Sequence, residues 1–138
     1  GLDISPEMLK AAAPLAEAYD GTLELRLLDV HDLDEPTGSF DQVFTSCTFC
    51  SVPDPVAGLE AVRRVLKPGG SLGMFEHTGS RFFPFSAMLD VMTPLTRRFG
   101  PEMNRDTVAN VTRAGFVDVR VEPVYLDVVK IIRAVCPG

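Results

Sequence analysis

The 138 residues predict an α/β fold with a parallel sheet, and three stretches carry that prediction. Gln42 to Cys50 is rich in Val, Phe, Thr and Cys and nearly uncharged, as suits a strand buried on both faces of a parallel sheet. From Val56 onward Leu59, Val62, Val65 and Leu66 recur at helical spacing among charged residues, giving one apolar stripe and one wet face. Ser71 to Phe75 is the next short apolar run. A strand, a crossover helix of about a dozen residues and another strand form a right-handed βαβ unit, which points away from a helical bundle.

The remaining elements follow from local chemistry. Gly1 to Leu9 reads as a strand end running into a helix, with Ser5 as the cap, Pro6 at the first position and Glu7 at the positive end of the dipole. Met8, Leu9, Ala12 and Leu15 are expected to face inward, and Pro14 to interrupt or kink the helix. Leu23 to Leu28 reads as a second strand and Asp34 to Ser39 as a turn. Asp54 caps the central helix with Pro55 at its first position, and Lys67 to Gly70 stops it. Further on, Asn104 to Ala114 is a helix that Gly115 ends. Val117 to Pro123 and Asp127 to Ala134 are two strands joined by a short loop, with Val119, Val121, Val129 and Ile131 toward the core and Lys130 and Arg133 exposed.

Composition narrows the function. The length suits one domain with a proper core. A net charge of −6 with no basic block argues against affinity for nucleic acid driven by phosphate neutralisation. Three cysteines make no disulfide framework, which points to a reducing, cytoplasmic setting. Cys47 and Cys50 have C-x-x-C spacing, but there is no second cysteine pair and the only histidines are His31 and His77. Small apolar residues in a core strand are therefore expected there, rather than a redox or metal site. Asp3 and Asp29 each end a strand, a position from which a carboxylate can accept hydrogen bonds from the hydroxyls of a ribose. Together they could grip the ribose and the exocyclic amine of one adenosine; a solvated turn aspartate is the plain alternative for either.

Residues 1–9 (GLDISPEML), LLDVHDL, SFDQVFTSCTFCSVPDP, LEAVRRVLKPGG, GMFEH and the later Asn104 to Phe116 resemble, in order and spacing, the signature regions of class I S-adenosylmethionine-dependent methyltransferases. The subgroup they resemble includes bacterial phosphatidylethanolamine N-methyltransferases and ubiquinone/menaquinone C-methyltransferases. The resemblance implies a Rossmann-like α/β fold, a mostly parallel sheet closed by an antiparallel hairpin, with S-adenosylmethionine as cofactor. It implies that Asp3 binds the ribose and that Ile4 and Met8 sandwich the adenine. Asp29 and the Val30 backbone would contact the adenine edge, and Thr45, Ser46 and Cys47 would lie beside the methionine part and the transferable methyl. The family's glycine-rich loop, first strand and first helix have no counterpart in residues 1–138. The chain is therefore expected to be the carboxy-terminal portion of a single methyltransferase domain, with about 50 or more residues ahead of it. Alone it is expected to be inactive and without measurable cofactor affinity.

Glu76 and His77, just past the strand at Ser71 to Phe75, are the candidate bases for an amine or quinol acceptor; a structural hydrogen bond is the competing role. From Thr78 to Met103, Phe85, Met88, Leu89, Met92 and Phe99 fall near helical spacing, with Arg81, Arg97 and Arg98 at the ends and Pro94 interrupting. Such a surface suits a lipid or prenyl acceptor and peripheral contact with the inner face of a membrane; the alternative is a helix packed on the domain's own core. The expected acceptor is a small molecule or lipid, first the amine of a phospholipid headgroup and second a quinone precursor. The rivals are a piece of an NAD(P)-dependent oxidoreductase, which also binds ribose with a strand-end acid, and a non-catalytic binding piece.

Overall fold

The computed structural model describes residues 1–80, 82–96 and 104–138. They divide into two compact units, Gly1–Asp34 and Glu35–Gly138.

In the first unit, β1 (Leu2–Asp3) and β2 (Arg26–Leu27) pair in parallel, with Leu2 opposite Arg26 and Asp3 opposite Leu27. Between them runs helix α1 (Pro6–Glu17), capped by Ser5, whose hydroxyl accepts the Met8 N–H at 3.3 Å. Pro14 does not interrupt this helix. It removes one N–H, but the Ala18 N–H donates to the Pro14 carbonyl and the ladder resumes. The inward orientation expected for Met8 and Leu15 is corrected too: both are exposed, and no residue of α1 is buried. The second strand is shorter than Leu23 to Leu28, because only Arg26 and Leu27 find partners on the two-residue β1.

The second unit is a four-stranded sheet. Its strands are β3 (Phe40–Ser46), β4 (Leu66–His77), β5 (Val117–Tyr125) and β6 (Val129–Val135), in the order β3-β4-β6-β5. Helix α2 (Pro55–Val65) makes the crossover between the parallel strands β3 and β4, with Asp54 accepting the Ala57 N–H at 3.0 Å as its cap. β4 begins earlier than Ser71. Phe40 pairs with Leu66 and Gln42 with Ser71, so Lys67 to Gly70 bulge out of the ladder, and Gly69 supplies the positive φ of 77° that the bulge needs. β6 lies antiparallel to both β4 and β5. Among the described residues the four-stranded sheet has one parallel and two antiparallel pairings, so it is mixed rather than mostly parallel.

The core lies on one face of this sheet. Leu72 and Met74 of β4 and Ile132 and Ala134 of β6 are buried there, together with Leu59, Val62 and Val65 of α2 and Val111 of helix α4 (Thr107–Arg113). α4 begins at Thr107 rather than Asn104, because Asp106 caps it by accepting the Ala109 N–H. The face assignment expected for β6 is reversed. Lys130, Ile132 and Ala134 are buried, whereas Val129 and Ile131 are only partly so and Arg133 is exposed as expected. Lys130 can go inside because its ammonium pairs with Asp127 at 3.1 Å and donates to the Gly79 carbonyl at 3.1 Å. Val121 is also exposed rather than inward.

β3 is not buried on both faces. It is the edge of the four-stranded sheet, with Phe44 75% exposed and its ring lying against Gly73. Helix α3 (Phe85–Thr96) continues through Pro94; Leu89 is buried, while Met88, Val91 and Met92 are exposed. Arg81, Arg97, Arg98 and Phe99 lie outside the described residues, as does the side chain of Phe85.

Candidate functional site

Parallel pairing sends β1 and β2 out of their sheet at the same end; β1 ends in Asp3, and Asp29 lies two residues beyond the end of β2. Asp3 closes β1, its carbonyl accepting the Leu28 N–H at 3.1 Å, and Asp29 is the next residue on the neighbouring chain. Asp3 Oδ1 accepts the Ser5 N–H at 2.8 Å. Asp29 Oδ1 accepts the His31 N–H at 2.9 Å and lies 2.7 Å from His31 Nδ1, and these bonds hold its pKa below the ordinary carboxylate value. In both carboxylates the hydrogen bonds given among the described residues fall on Oδ1. Ile4 and Met8 present apolar surface beside Asp3, 70% and 59% exposed, whereas the Val30 side chain is buried.

In the second unit the corresponding strand ends belong to β3 and β4. Thr45 and Ser46 finish β3, and Cys47 turns the chain with a φ of 50°, its N–H donating to the Phe75 carbonyl at 2.8 Å. Cys47 and Cys50 therefore sit in a turn after the strand, not within it. Both thiols are free, Cys47 exposed and Cys50 buried, and burial pushes the Cys50 thiol up from its ordinary pKa. No disulfide joins them.

Glu76 and His77 are the last residues of β4, not residues beyond it. Glu76 is fully buried. Its Oε1 accepts the Thr45 hydroxyl at 2.9 Å and the Thr48 N–H at 3.1 Å, and its Oε2 accepts the Phe49 N–H at 3.2 Å. Desolvation by burial raises its pKa, against the pull of these donors. The carboxylate is turned onto the end of β3 and the loop after it. His77 differs: its Nδ1 is buried without a hydrogen-bond partner among the described residues, and burial lowers its pKa. A neutral imidazole with an unused ring nitrogen can accept a proton.

Arg105 escaped the sequence reading as a site residue. Its guanidinium donates to the Phe49 carbonyl at 2.9 Å and to the Val52 carbonyl. No spacing rule reveals a side chain that bonds backbone groups more than fifty residues away. A hollow of about 440 Å³ on the uncovered face of the sheet, lined by Gln42, Phe44, Ser71 and Arg133 among others, lies away from these strand ends. Ligands of open α/β sheets bind beyond the carboxyl ends, so the hollow is not the candidate site. No described helix is long and apolar enough to cross a membrane.

Comparison with known proteins gives this geometry its context. The model of a family described as methyltransferase domain matches residues 1–74. A ubiquinone biosynthesis O-methyltransferase of Xanthomonas oryzae is 40% identical over 72 residues, 51% of this chain and 30% of that protein. A human thiol S-methyltransferase is 33% identical over 88 residues, 62% of this chain and 36% of that protein. The matches thus take in about a third of the length of these relatives. In three dimensions, a solved S-adenosylmethionine-dependent methyltransferase of Methanosarcina mazei superposes with a TM-score of 0.75 at 21% identity, covering 99% of this chain and 81% of that one. The family model spans more than half of the chain and includes both strand-end aspartates, and the Methanosarcina enzyme shares the fold: the chain belongs to the class I S-adenosylmethionine-dependent methyltransferases.

Proposed function

We propose that the intact protein transfers a methyl group from S-adenosylmethionine to a phenolic oxygen or ring carbon of a prenylated quinone precursor. The observation that carries the donor half is the pair Asp3 and Asp29 at one end of two parallel, adjacent strands. In this reading Asp3 holds the ribose, Asp29 and the Val30 backbone the adenine edge, and Ile4 and Met8 the faces of the ring. When bound, S-adenosylmethionine supplies an electrophilic methyl group on a sulfonium. The protein's task is then to align the acceptor with it, exclude water and take the acceptor's proton. His77 is proposed as the proton acceptor from its place as the last residue of β4, with burial lowering its pKa and so favouring the neutral imidazole. Glu76 is committed to three donors and supports the loop.

The acceptor half rests on two supports. The Xanthomonas relative is named for ubiquinone biosynthesis, which favours a quinone precursor over the phospholipid amine. Exposed Phe82, Phe83, Met88, Val91 and Met92, before and along α3, offer apolar surface for a prenyl tail and for peripheral membrane contact. The test is methylation of a short-chain prenylated catechol by the intact protein, with phosphatidylethanolamine vesicles as the competing acceptor. Turnover of the catechol is expected; turnover of the lipid amine alone would overturn the acceptor, and wild-type turnover by His77→Ala would remove His77 from the mechanism. Co-sedimentation with anionic and neutral liposomes tests the membrane contact, which fails if neither binds.

A further inference from the structure

Lying in a turn rather than in the strand gives Cys47 and Cys50 a setting that two core residues would not share. Both are free thiols, Cys47 exposed and Cys50 buried. The Cys50 thiol donates to the Cys47 carbonyl at 3.3 Å. Its sulfur is therefore within about 6 Å of the Cys47 Cα, a separation that rotation about the two Cα–Cβ bonds can close to a disulfide.

The backbone between the two sulfurs is fixed from both sides. Cys47, at a φ of 50°, turns the chain sharply as it leaves β3. The Thr48 and Phe49 N–H groups both donate to the Glu76 carboxylate, which curls the chain around one point. On the other side the Phe49 and Val52 carbonyls accept from the Arg105 guanidinium. The Ser51 and Val52 N–H groups both return to the Thr48 carbonyl and close the turn. A loop held in this way keeps Cys47 and Cys50 on one turn, so joining them takes side-chain rotation and no new backbone path.

The two thiols differ in what reaches them. Cys47 opens to solvent, and a small oxidant meets it first. Cys50 is 7% exposed. Burial, with the charges of Glu76 and Cys47 adding, pushes its pKa up against the hydrogen bond with Ser51. The buried sulfur is thus kept protonated and out of reach of an oxidant in solution, yet stands beside its neighbour. Cys136 supplies the contrast: it is buried, and its thiol faces the carbonyls of Arg63, Leu66 and Pro137.

We propose that Cys47 and Cys50 are a reversible redox pair, a modification site for peroxide at which Cys47 is oxidised and Cys50 resolves it. The Cys47 thiolate attacks hydrogen peroxide, the O–O bond breaks, and a sulfenic acid forms with release of water. The Cys50 thiol then gives up its proton and attacks that sulfur; the S–O bond breaks, a second water leaves and the S–S bond closes. Two thiols are oxidised and one peroxide is reduced to two waters. Closure takes the Cys50 sulfur off the Cys47 carbonyl and draws the exposed Cys47 side chain inward, so the surface at the end of β3 differs between the two states. Such a transient disulfide is compatible with a reducing compartment.

The experiment is titration of the intact protein with hydrogen peroxide, followed by alkylation under denaturing conditions and mass spectrometry. The expected result is a mass lowered by about 2 Da before alkylation, from the loss of two thiol hydrogens, with two fewer cysteines alkylated and Cys136 still reactive. Chymotrypsin cuts after Phe49, between the two cysteines, so only the disulfide keeps the halves joined, and dithiothreitol separates them. Cys50→Ala is expected to stop at a Cys47 sulfenic acid that a cyclic dione traps, and Cys47→Ser to leave Cys50 reduced. Should Cys50→Ala fail to fold, the wild-type mapping and Cys47→Ser carry the test. Wild-type Cys47 that passes to sulfinic acid or to a dimer while Cys50 is still alkylated overturns the proposal. So does a Cys50 that oxidises as readily in Cys47→Ser as in wild type, and so do two thiols that survive the peroxide unchanged.

Discussion

Replacing Lys130 by Met keeps the length and most of the volume of a side chain that lies inside the sheet, and removes only its ammonium. Lys130 is 7% exposed; its Nζ is 3.1 Å from Asp127 Oδ1 and donates to the Gly79 carbonyl at 3.1 Å. Breaking a fully buried ion pair by removing one partner costs about 3–5 kcal/mol, because the other charge is left uncompensated. The Asp127 side chain retains 18% exposure, so water recovers part of that, and about 2–3 kcal/mol remains. With a urea m-value of about 2 kcal/mol per molar, the unfolding midpoint should fall by about 1–1.5 M at unchanged slope. Combining Lys130→Met with Asp127→Asn closes a double-mutant cycle that gives the coupling of the pair directly. A Lys130→Met midpoint within experimental scatter of wild type would mean that this ammonium is solvated and that the face assignment of β6 is wrong.

Three further outcomes are expected. Leu59→Ala, at a fully buried position of α2, should cost about 2–5 kcal/mol in urea unfolding, and a loss under about 1 kcal/mol would contradict the packing of α2 on the sheet. His77 has its pKa lowered by burial from 6.5, so the unfolded chain binds a proton that the folded one does not. Its stabilising contribution is complete above 6.5 and is lost as pH falls from there through the folded value; His77→Gln should lose less stability than wild type between about pH 8 and pH 5, and equal losses would refute the assignment. Glu76 has the opposite sign: with its pKa raised from 4.5, the folded chain keeps a proton the unfolded one has released, so stability falls as pH rises from 4.5 through the folded value. Glu76→Gln turns an amide toward the buried Phe49 N–H at a cost of about 1–3 kcal/mol, and the deficit should narrow with rising pH; a deficit constant across the titration argues against a raised pKa.

What could be read from the sequence was what short stretches decide by themselves. Ser5 with Pro6 and Asp54 with Pro55 announce helix starts because the cap and the missing N–H act within a single turn, and both helices begin there. The apolar stripe of α2 was legible for the same reason, with Leu59, Val62 and Val65 on its buried face. Pro14 and Pro94 misled because a proline removes one hydrogen bond, and a helix bonded on both sides of the gap tolerates that. β3 looked buried on both faces by composition, but burial depends on a neighbour, and on its open side β3 has none among the described residues. The phase of β6 depends on a turn, Leu126 and Asp127 both at positive φ, and on the Asp127 carboxylate that lets Lys130 go inside; alternation of apolar residues carries neither fact.

The candidate site divides along the same line. Asp3 and Asp29 stand out because a strand's carboxyl end is a local feature, and parallel pairing of β1 with β2 brings both to one tip. Glu76 stands out equally, by type and by place, yet residue type does not reveal what a carboxylate is already bonded to. Its three donors come from Thr45, Thr48 and Phe49, twenty-seven to thirty-one residues earlier, and Arg105 reaches back still further. Glu76 accepts from a hydroxyl and two backbone N–H groups, whereas the buried Nδ1 of His77, its neighbour in sequence, has no hydrogen-bond partner among the described residues. Alternation along β4 puts the two side chains on opposite faces of the sheet, so adjacency in sequence never made them a catalytic pair.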